Sequence, residues 1–358
     1  MQTDEKEKLL YLMGVDWNWI YQRPRIIAEY LSNDFDVTVA YPVKIWSRRV
    51  SRAKSATKSL RFLKIWTFPF QRKNPLIGVA ADRYKKWLLR NCNQYAYIYI
   101  DYPLYIECIP DNYNGRIIYD CIDDHVHMCP NAYMRTKVEK AEKELLQKGQ
   151  VFIASSQKLL QNMQKQILAE NINLIRNGVR FDKKHDVRDA CVKKQYHIGY
   201  IGTVAEWFDK ELINASVKNH SDLVYHIIGP CAASFMLHHD RIVCEGVVEH
   251  VQLYSYVKDY DCLIMPFLVN EITASADPVK LYEYIAFGKC IISVYYEELE
   301  HFQDYVYFYT TYKEYENLMA KLAGSGFPPK YSRQQQEKFL TENSWDARYE
   351  LILKAVRG

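Results

Sequence analysis

Short apolar runs alternate with amphipathic segments along the whole chain. The first half contains the runs KLLYLMGV, FDVTVAYP, YAYIYIDYP, GRIIYDCID and VFIASS, and the second half contains YHIGYIGT, LVYHIIGP, DRIVCEGVV, DCLIMPF and KCIISV. Short runs rich in β-branched and aromatic residues are typical of buried parallel strands. Segments such as QRPRIIAEYLSND, which lie between these runs, have helical spacing. The alternation predicts an α/β protein built on doubly wound parallel sheets.

The length of 358 residues suits two domains of about 150 residues each. The rhythm of strands and helices restarts after the polar stretch FDKKHDVRDACVKKQ, residues 181–195. We therefore predict an N-terminal domain over residues 1–182 and a C-terminal domain over 183–333, followed by a helical segment over 334–358. The chain has no run of 18 apolar residues, and the mixed charges at its start do not indicate a signal peptide.

Composition adds two constraints. A hydrophobic content of 49% and a charged content of 25% indicate a soluble globular protein. The nine cysteines are scattered, odd in number and without a C-x-x-C pair, so we expect reduced thiols and neither a disulfide framework nor a bound metal.

The net charge of +4 hides a strong asymmetry. Residues 44–90 contain fourteen Lys or Arg and one acid, a balance of +13, which leaves 4 − 13 = −9 for the rest of the chain. Aromatic residues such as Trp46, Trp66 and Trp87 interleave with these cations. Such a region can be a solvated basic face or a surface that docks on anionic lipid. Nucleic acid is disfavoured because no recognised nucleic-acid motif accompanies the patch.

Candidate chemistry is sought where strands end, because ligands of such sheets bind outside the carboxyl ends of the strands. In SADPVKLYE we predict Asp277 as helix N-cap, Pro278 at the first helical position and Lys280 at the third. A helix start is an anion site, and a lysine there opposes the helix dipole unless an anion is bound. The alternative is an ordinary capped helix in which Lys280 pairs with Glu283 on the surface.

Two loops of the first half are further candidates. YDCIDDHVH places Asp123, Asp124 and His125 after a strand, where clustered acids raise one another's pKa and a histidine can act as base or orienter. The alternatives are a helix N-cap or, less favoured, a metal site. DWNWIYQRP offers Asp16, Asn18 and Gln22 as acceptor contacts, or else forms a rigid aromatic turn.

Several motifs, in order along nearly the whole chain, carry a family resemblance. PVKLYEYIAFGKCII, preceded by LIMPF, resembles the donor-binding signature of nucleotide-sugar glycosyltransferases of the GT-B fold, and more narrowly the family 4 group of bacterial polysaccharide assembly. IIYDCIDD, VFIASSQKLL, IGYIGTVAEWFDKELI and SWDARYELIL resemble other segments of these enzymes. The resemblance implies two Rossmann-like domains facing a cleft, with the final helix crossing back to the N-terminal, acceptor-binding domain.

The resemblance also implies residue roles in the C-terminal, donor-binding domain. Glu283 would hold the ribose hydroxyls, and Lys280 the diphosphate. Gly202 and Thr203 would bring backbone N–H groups to the phosphates, and Gly229 would line the base pocket. The remaining donor-binding candidates are Glu271, Asp277 and Leu281. Asp123, Asp124 and His125 are the catalytic candidates.

One position departs from the family pattern. Many members have two glutamates separated by seven residues, and the position that precedes Glu283 by that spacing is Ser275. Glu271 and Asp277 flank it and are the alternative sugar-facing acids, through a different loop path. The departure leaves open a catalytically silent partner of another transferase, and a GT-B nucleotide-sugar epimerase is a further alternative.

The resemblance implies transfer of a sugar, with retention, from a UDP- or GDP-sugar to a saccharide or polyprenyl-linked acceptor in cell-surface polysaccharide biosynthesis. It implies no bound cofactor and no metal. With the basic region at residues 44–90, we expect a cytoplasmic enzyme that attaches peripherally to the anionic inner face of the plasma membrane.

Overall fold

The computed structural model describes residues 6–19, 21–45, 59–168, 172–180 and 185–358. The chain divides into two compact units, Met1–Arg176 with Arg348–Gly358, and Asn177–Ala347. We call them unit 1 and unit 2. Within the described residues, no helix has the length and apolar character needed to cross a membrane.

The described part of unit 1 contains a seven-stranded sheet. Its strands are β1 (Lys8–Leu12), β2 (Asp36–Lys44), β3 (Arg61–Thr67), β4 (Tyr97–Ile100), β5 (Arg116–Cys121), β6 (Val151–Ala154) and β7 (Ile172–Leu174). They lie in the order β3-β2-β1-β4-β5-β6-β7, and every neighbouring pair is parallel.

The described part of unit 2 contains a six-stranded sheet. Its strands are β8 (Tyr196–Ile201), β9 (Leu223–Ile228), β10 (Ile242–Gly246), β11 (Cys262–Met265), β12 (Cys290–Val294) and β13 (Tyr307–Tyr309). The order is β10-β9-β8-β11-β12-β13, again with parallel neighbours. In both sheets the strand order reverses beside the first strand, which is the arrangement of a doubly wound fold.

Helices connect the strands. They are α1 (Arg23–Leu31), α2 (Pro75–Leu88), α3 (Ala132–Lys148), α4 (Gln157–Gln164), α5 (Lys210–Asn219), α6 (Leu253–Val257), α7 (Glu271–Ala274), α8 (Val279–Ala286), α9 (Tyr312–Gly324), α10 (Arg333–Glu342) and α11 (Trp345–Arg357). Several begin at a side chain that accepts a backbone N–H, as Asn131 does for α3, Ser156 for α4 and Thr311 for α9. Such caps satisfy donors that a helix start leaves unpaired.

Tyrosines are unusually prominent in the two cores. Tyr11, Tyr99 and Tyr119 are fully buried in unit 1, and their hydroxyl groups reach carboxylates. In unit 2 the hydroxyl of Tyr225 lies 2.7 Å from that of Tyr315. A buried tyrosine adds a large apolar ring to a core, provided that its hydroxyl finds a partner.

The predicted α/β fold is confirmed, whereas several details differ from the predictions. The units divide between Arg176 and Asn177, while the sequence placed the boundary between residues 182 and 183. Of the predicted terminal segment 334–358, residues up to Ala347 belong to unit 2, because α10 packs there. The side chain of Gln336 donates to the carbonyl of Ile285 at 2.8 Å, and Phe339 lies in the core of unit 2.

The basic region contains structure that the sequence did not predict. Strand β3 and helix α2 both lie inside residues 44–90. Residues 46–58, which include Trp46 and five of the fourteen cations, lie outside the described residues.

Candidate functional site

Two glycine turns follow the first two strands of unit 2. Gly202, after β8, has φ of +144°, and Gly229, after β9, has φ of +137°. A Cβ on Gly229 would lie 2.3 Å from the carbonyl oxygen of Gly202, and a Cβ on Gly202 would lie 2.3 Å from Cε of Lys280. A side chain at either position would therefore push apart the Gly202 turn, the Gly229 turn and the side chain of Lys280, which are now in contact.

The backbone N–H groups of this loop are not all available. Gly202 donates to the carbonyl of Ile228 at 2.8 Å, so the prediction that this N–H faces a phosphate is wrong. Among the described residues, no hydrogen bond of the Thr203 N–H is found. Thr203 is therefore the better donor candidate in the turn.

Lys280 lies over the glycine turns, in the first turn of α8. Its Nζ lies 5.5 Å from the ring centroid of Phe267, a cation–π distance. Within the described residues its ammonium group has no ion pair and no hydrogen bond. Burial lowers the pKa of Lys280, and the nearby carboxylate of Glu283 raises it. A half-buried cation without an acceptor, at a helix start, can neutralise a bound anion.

Glu283 does not form the predicted alternative ion pair with Lys280. Its Oε1 instead lies 3.0 Å from Nε2 of His250, and the Glu283 side chain is 22% exposed. His250 is 67% exposed, so it can move aside when a ligand offers hydroxyl groups to the carboxylate. Sequence reasoning missed His250, because nothing local links residues 33 positions apart.

The prediction that Asp277 caps α8 is wrong. Pro278 occupies the N-cap position, which places Lys280 at the second rather than the third helical position. The buried carboxylate of Asp277 accepts the backbone N–H of Asn177 at 2.7 Å and the hydroxyl of Tyr282 at 3.1 Å. The carboxylate of Asp277 is therefore engaged by Asn177 and Tyr282 and not by the start of α8.

Three other positions discussed in the sequence analysis differ in the solvent exposure of their side chains. Leu281 is fully buried in the core of unit 2, so its side chain anchors α8 and is not exposed to solvent. Ser275 is also buried, and its hydroxyl donates to the carbonyl of Ile272 at 2.8 Å. Glu271 opens the short helix α7 and stays exposed. Glu271 is therefore the acid of this stretch that remains accessible.

In unit 1 a buried ion pair lies beneath the predicted acidic loop. Arg23 makes two hydrogen bonds to Asp120, at 2.8 and 3.1 Å, and both side chains are buried. Arg23 also donates to the carbonyl of Ile175 at 2.9 Å. The pair fixes α1 against β5 and so holds the base of the loop.

The three predicted catalytic residues have different surroundings. Asp124 lies 2.7 Å from Nδ1 of His127 and accepts its N–H at 3.1 Å. His125 donates from Nε2 to the carbonyl of Asp101 at 2.8 Å, and burial lowers the pKa of His125 to about 4, so its ring is neutral at pH 7. Burial raises the pKa of Asp123 to about 6. Asp123 is therefore the member best suited to exchange a proton near neutral pH.

Asp101 was missed, although it directly follows a buried strand. Its carboxyl group accepts the N–H of Gly14 at 2.5 Å and the hydroxyl of Tyr11 at 3.1 Å. Burial raises the pKa of Asp101 to about 8. The strand-end rule that selected Asp123 also applies to Asp101 in YIYIDYP, so the signal was present.

The predicted acceptor loop is a compact turn. Oδ1 of Asp16 accepts the N–H of Asn18 at 2.9 Å, and Trp19 donates its N–H to the carbonyl of Asp16. Gln22 stands at the N-cap of α1, but its side chain makes no capping bond. Residues 16–19 are therefore held together by their own hydrogen bonds, and the side chain of Gln22 is uncommitted to the helix.

Comparison with profiles of known protein families gives no match. TuaH of Bacillus subtilis strain 168, assigned to teichuronic acid biosynthesis as a glycosyltransferase, is 23% identical over 199 residues. The matched region covers 49% of this chain and 50% of TuaH, so the match spans about half of that relative.

Two solved structures resemble nearly the whole chain. Sucrose-phosphate synthase from Thermosynechococcus elongatus is 11% identical, with a TM-score of 0.75 over 98% of both chains. Anabaena HepE in complex with UDP and glucose is 12% identical, with a TM-score of 0.71 over 98% of this chain and 100% of that one. The fold of this chain is therefore the GT-B fold of glycosyltransferases, as the sequence motifs indicated.

Proposed function

We propose that the protein is a glycosyltransferase of polysaccharide biosynthesis that takes its sugar from a nucleoside diphosphate sugar. The observation that carries this proposal is Lys280, an unpaired cation above the glycine turns at Gly202 and Gly229. The relationship to TuaH supports the pathway class, and the complex of HepE with UDP and glucose supports UDP as the carrier.

In the proposed reaction, the bond between the anomeric carbon and the diphosphate oxygen breaks, and a bond from an acceptor hydroxyl oxygen to that carbon forms. The leaving diphosphate carries the electron pair of the broken bond, and the hydroxyl proton is released. Lys280, the Thr203 N–H and the start of α8 stabilise the departing charge. The carboxylate of Glu283 accepts hydrogen bonds from the ribose hydroxyl groups once His250 moves aside. Asp123 is the proposed acid facing the acceptor.

The finer parts of the proposal concern stereochemistry and acceptor. We expect retention at the anomeric carbon, because the motif of α8 resembles that of retaining family 4 enzymes. We also expect a polyprenyl-linked saccharide acceptor, presented at the inner face of an anionic membrane that the basic region at residues 44–90 contacts. A catalytically silent partner protein is the second candidate, because the buried Ser275 leaves the sugar-facing acid position of the motif empty.

The first test is thermal stabilisation by UDP, GDP, ADP, CMP and dTDP. UDP at a hundredfold excess over its Kd stabilises a folded protein by about 2.7 kcal/mol, which for a domain of this size is about 5–10 °C. We expect Lys280→Ala and Glu283→Ala each to weaken UDP binding by about tenfold or more, since a charge-assisted contact contributes roughly 1.5–3 kcal/mol. Lys338→Ala, at a 72% exposed position on α10, is the matched control.

Turnover then separates the two candidates. Release of UDP from a UDP-sugar that depends on an added saccharide acceptor is the result expected of a transferase. UDP binding without turnover of any UDP-sugar would favour the silent partner. Absence of stabilisation by every nucleotide would contradict the proposed donor site.

A further inference from the structure

Two loops of unit 2 pair with each other beyond the carboxyl ends of β8 and β11. Residues 207–209 come after β8 and residues 266–268 come after β11, and these two strands are neighbours in the sheet. The N–H of Leu268 donates to the carbonyl of Trp207 at 2.7 Å, in an antiparallel pairing. We call the paired segments the switch-point ribbon, because the strand order reverses between β8 and β11 and a doubly wound fold binds ligands at such a point.

The ribbon lies where the sugar of the proposed donor is expected. Glu283, the proposed ribose contact, pairs with His250, which follows the edge strand β10. Lys280, the proposed diphosphate contact, lies over the turn after β8, and its Nζ is 5.5 Å from the ring centroid of Phe267 in the ribbon. The diphosphate joins the ribose to the sugar. A donor with its ribose on the β10 side therefore places its sugar on the β11 side, at the ribbon.

The side chains around this point are apolar and exposed. Trp207 and Leu268 lie opposite each other in the ribbon, so their side chains are neighbours, and they are 36% and 44% exposed. Val269 and Ile272, which follow the ribbon, are 49% and 40% exposed. Exposed apolar groups gathered beside a polar binding site mark a ligand surface. They favour a sugar that brings an apolar group of its own.

The ring of Trp207 is tied to the turn that carries the proposed phosphate contact. Burial raises the pKa of Tyr200, and a hydrogen bond from the side chain of Trp207 lowers it. The indole N–H can only donate, so the hydroxyl of Tyr200 is its acceptor. That hydroxyl in turn donates to the carbonyl of Thr203 at 2.9 Å. An aromatic ring held at its N–H edge loses little freedom when a ligand packs on it.

The charge around the ribbon is negative. Residues 203–209 and 266–277 contain four acids and no Lys, Arg or His. Two of these acids, Glu206 and Glu271, are exposed. A sugar with a carboxylate would face like charges here and find no cation in either segment, since the charge of Lys280 is matched by the diphosphate. The surroundings therefore favour an uncharged sugar.

We propose that the transferred sugar is neutral and carries a methyl group, as a 6-deoxyhexose or an N-acetylhexosamine does. C–H groups of the sugar pack on the ring of Trp207, and the methyl group lies on the apolar patch that Leu268, Val269 and Ile272 form. The inference rests on the proposed function, since it names the class of sugar that the same donor site takes. The buried Ser275 at the motif's acid position then belongs to a site that recognises its sugar by apolar contact.

The test is calorimetric titration of the full chain with UDP and with four UDP-sugars. These are UDP-glucose, UDP-N-acetylglucosamine, UDP-6-deoxyglucose and UDP-glucuronic acid. At least one of the two methyl-bearing compounds is expected to bind about fourfold or more tightly than UDP-glucose, the gain that one buried methyl group gives. Comparison of these two shows whether the methyl group is that of C6 or of the acetamido group. UDP-glucuronic acid is expected to bind more weakly than UDP-glucose.

Variants locate the preference within unit 2. The quantity compared is the ratio of the Kd of UDP-glucose to that of the preferred methyl-bearing compound on the same variant, so that changes in phosphate binding cancel. Trp207→Ala and Leu268→Ser should bring this ratio close to one, whereas Trp207→Phe keeps an aromatic ring and should retain most of it. Val192→Ser, at a 70% exposed position before the amino end of β8, is the matched control for Leu268→Ser and should leave the ratio unchanged.

Three outcomes would overturn the assignment. The sugar class is wrong if the wild type binds neither methyl-bearing compound more tightly than UDP-glucose, or if it binds UDP-glucuronic acid as tightly as the better of them. An unchanged ratio in both Trp207→Ala and Leu268→Ser would show that the preference arises outside the ribbon.

Binding of UDP alone separates this inference from the proposed function. If UDP binds the wild type and the sugars show no preference, only the sugar class fails. If neither UDP nor any UDP-sugar binds, the proposed donor site fails and the sugar assignment fails with it.

Discussion

At Asp101, burial raises the pKa to about 8, so the carboxyl group holds a proton at neutral pH. In the unfolded chain the same group ionises near pH 3.8. Between these two values the native state binds the extra proton, and the free energy of unfolding therefore falls as pH rises, by at most about 1.4 kcal/mol per pH unit. Above the native pKa this dependence ends.

We predict that Asp101→Asn flattens this dependence. An amide cannot ionise, and its oxygen can still accept the N–H of Gly14. Urea denaturation at pH 6.5 and pH 8 should show a smaller loss of stability in the variant than in the wild type. This window lies above the raised pKa of Asp123, about 6, and the histidines contribute equally to both proteins. Identical slopes in the two proteins would show that Asp101 is ionised throughout.

The glycine turn after β8 allows a second prediction at this scale. Gly202→Ala places a methyl group at φ of +144° and against Cε of Lys280, so we expect a loss of about 1–3 kcal/mol in stability and a weaker UDP effect. Gly324→Ala, where nothing lies within 4 Å of the added carbon, should be neutral or stabilising by up to about 1 kcal/mol. Thermal unfolding with and without UDP measures the stability of each variant and the effect of UDP on it. Equal stability and equal UDP effects in the two variants would contradict the close contact between Gly202 and Lys280.

At the scale of elements, apolar strands could be read directly from the sequence. Runs such as YIYI and CLIM are buried on both faces of a parallel sheet, so their composition alone identifies them. Strand β3 was missed because RFLKIWT has only Ile65 fully buried, and its cations made the region read as a charged surface. Helix α2 was missed for the same reason, since its exposed face carries both lysines and apolar groups.

The sequence predicts the parts of the candidate site that lie at the ends of strands. It does not predict the parts that depend on residues distant in the sequence. Gly202 and Gly229 could be selected because each directly follows a strand, and Lys280 because it lies at a predicted helix start; the structure brings the three together. The role of Asp277 could not be predicted, because its hydrogen-bond partner Asn177 lies 100 residues away in the sequence. The contact of Glu283 with His250 also joins two segments whose proximity only the fold creates.

For the whole molecule, the return of the chain to unit 1 is the feature that joins its two ends. Residues 348–358 belong to unit 1, where Ile352 and Val356 are fully buried. The hydroxyl of Tyr349 donates to Asp34 at 2.7 Å, and Arg357 pairs with the same residue at 2.9 Å. The last turns of α11 are therefore part of the packing of unit 1.

We predict that Ile352→Ala destabilises the protein by about 2–5 kcal/mol, as expected for a fully buried aliphatic side chain. Leu351→Ala changes the neighbouring residue, which is 46% exposed, and should cost no more than about 0.5 kcal/mol. Urea denaturation gives both values. The shift caused by UDP should persist in both variants, because the candidate donor residues lie in unit 2; its loss in Ile352→Ala alone would show that the units do not respond separately.

The same return of the chain has a consequence for synthesis on the ribosome. Domains usually fold in order as they emerge, at about 5–20 residues per second. Here the whole of Asn177–Ala347 is translated before the segment that completes unit 1. Unit 1 therefore waits on the order of ten to thirty seconds with the contact surface of residues 348–358 uncovered. A chaperone that shields nascent apolar surface has its opportunity during that interval, and slowing translation within the codons for unit 2 would lengthen it.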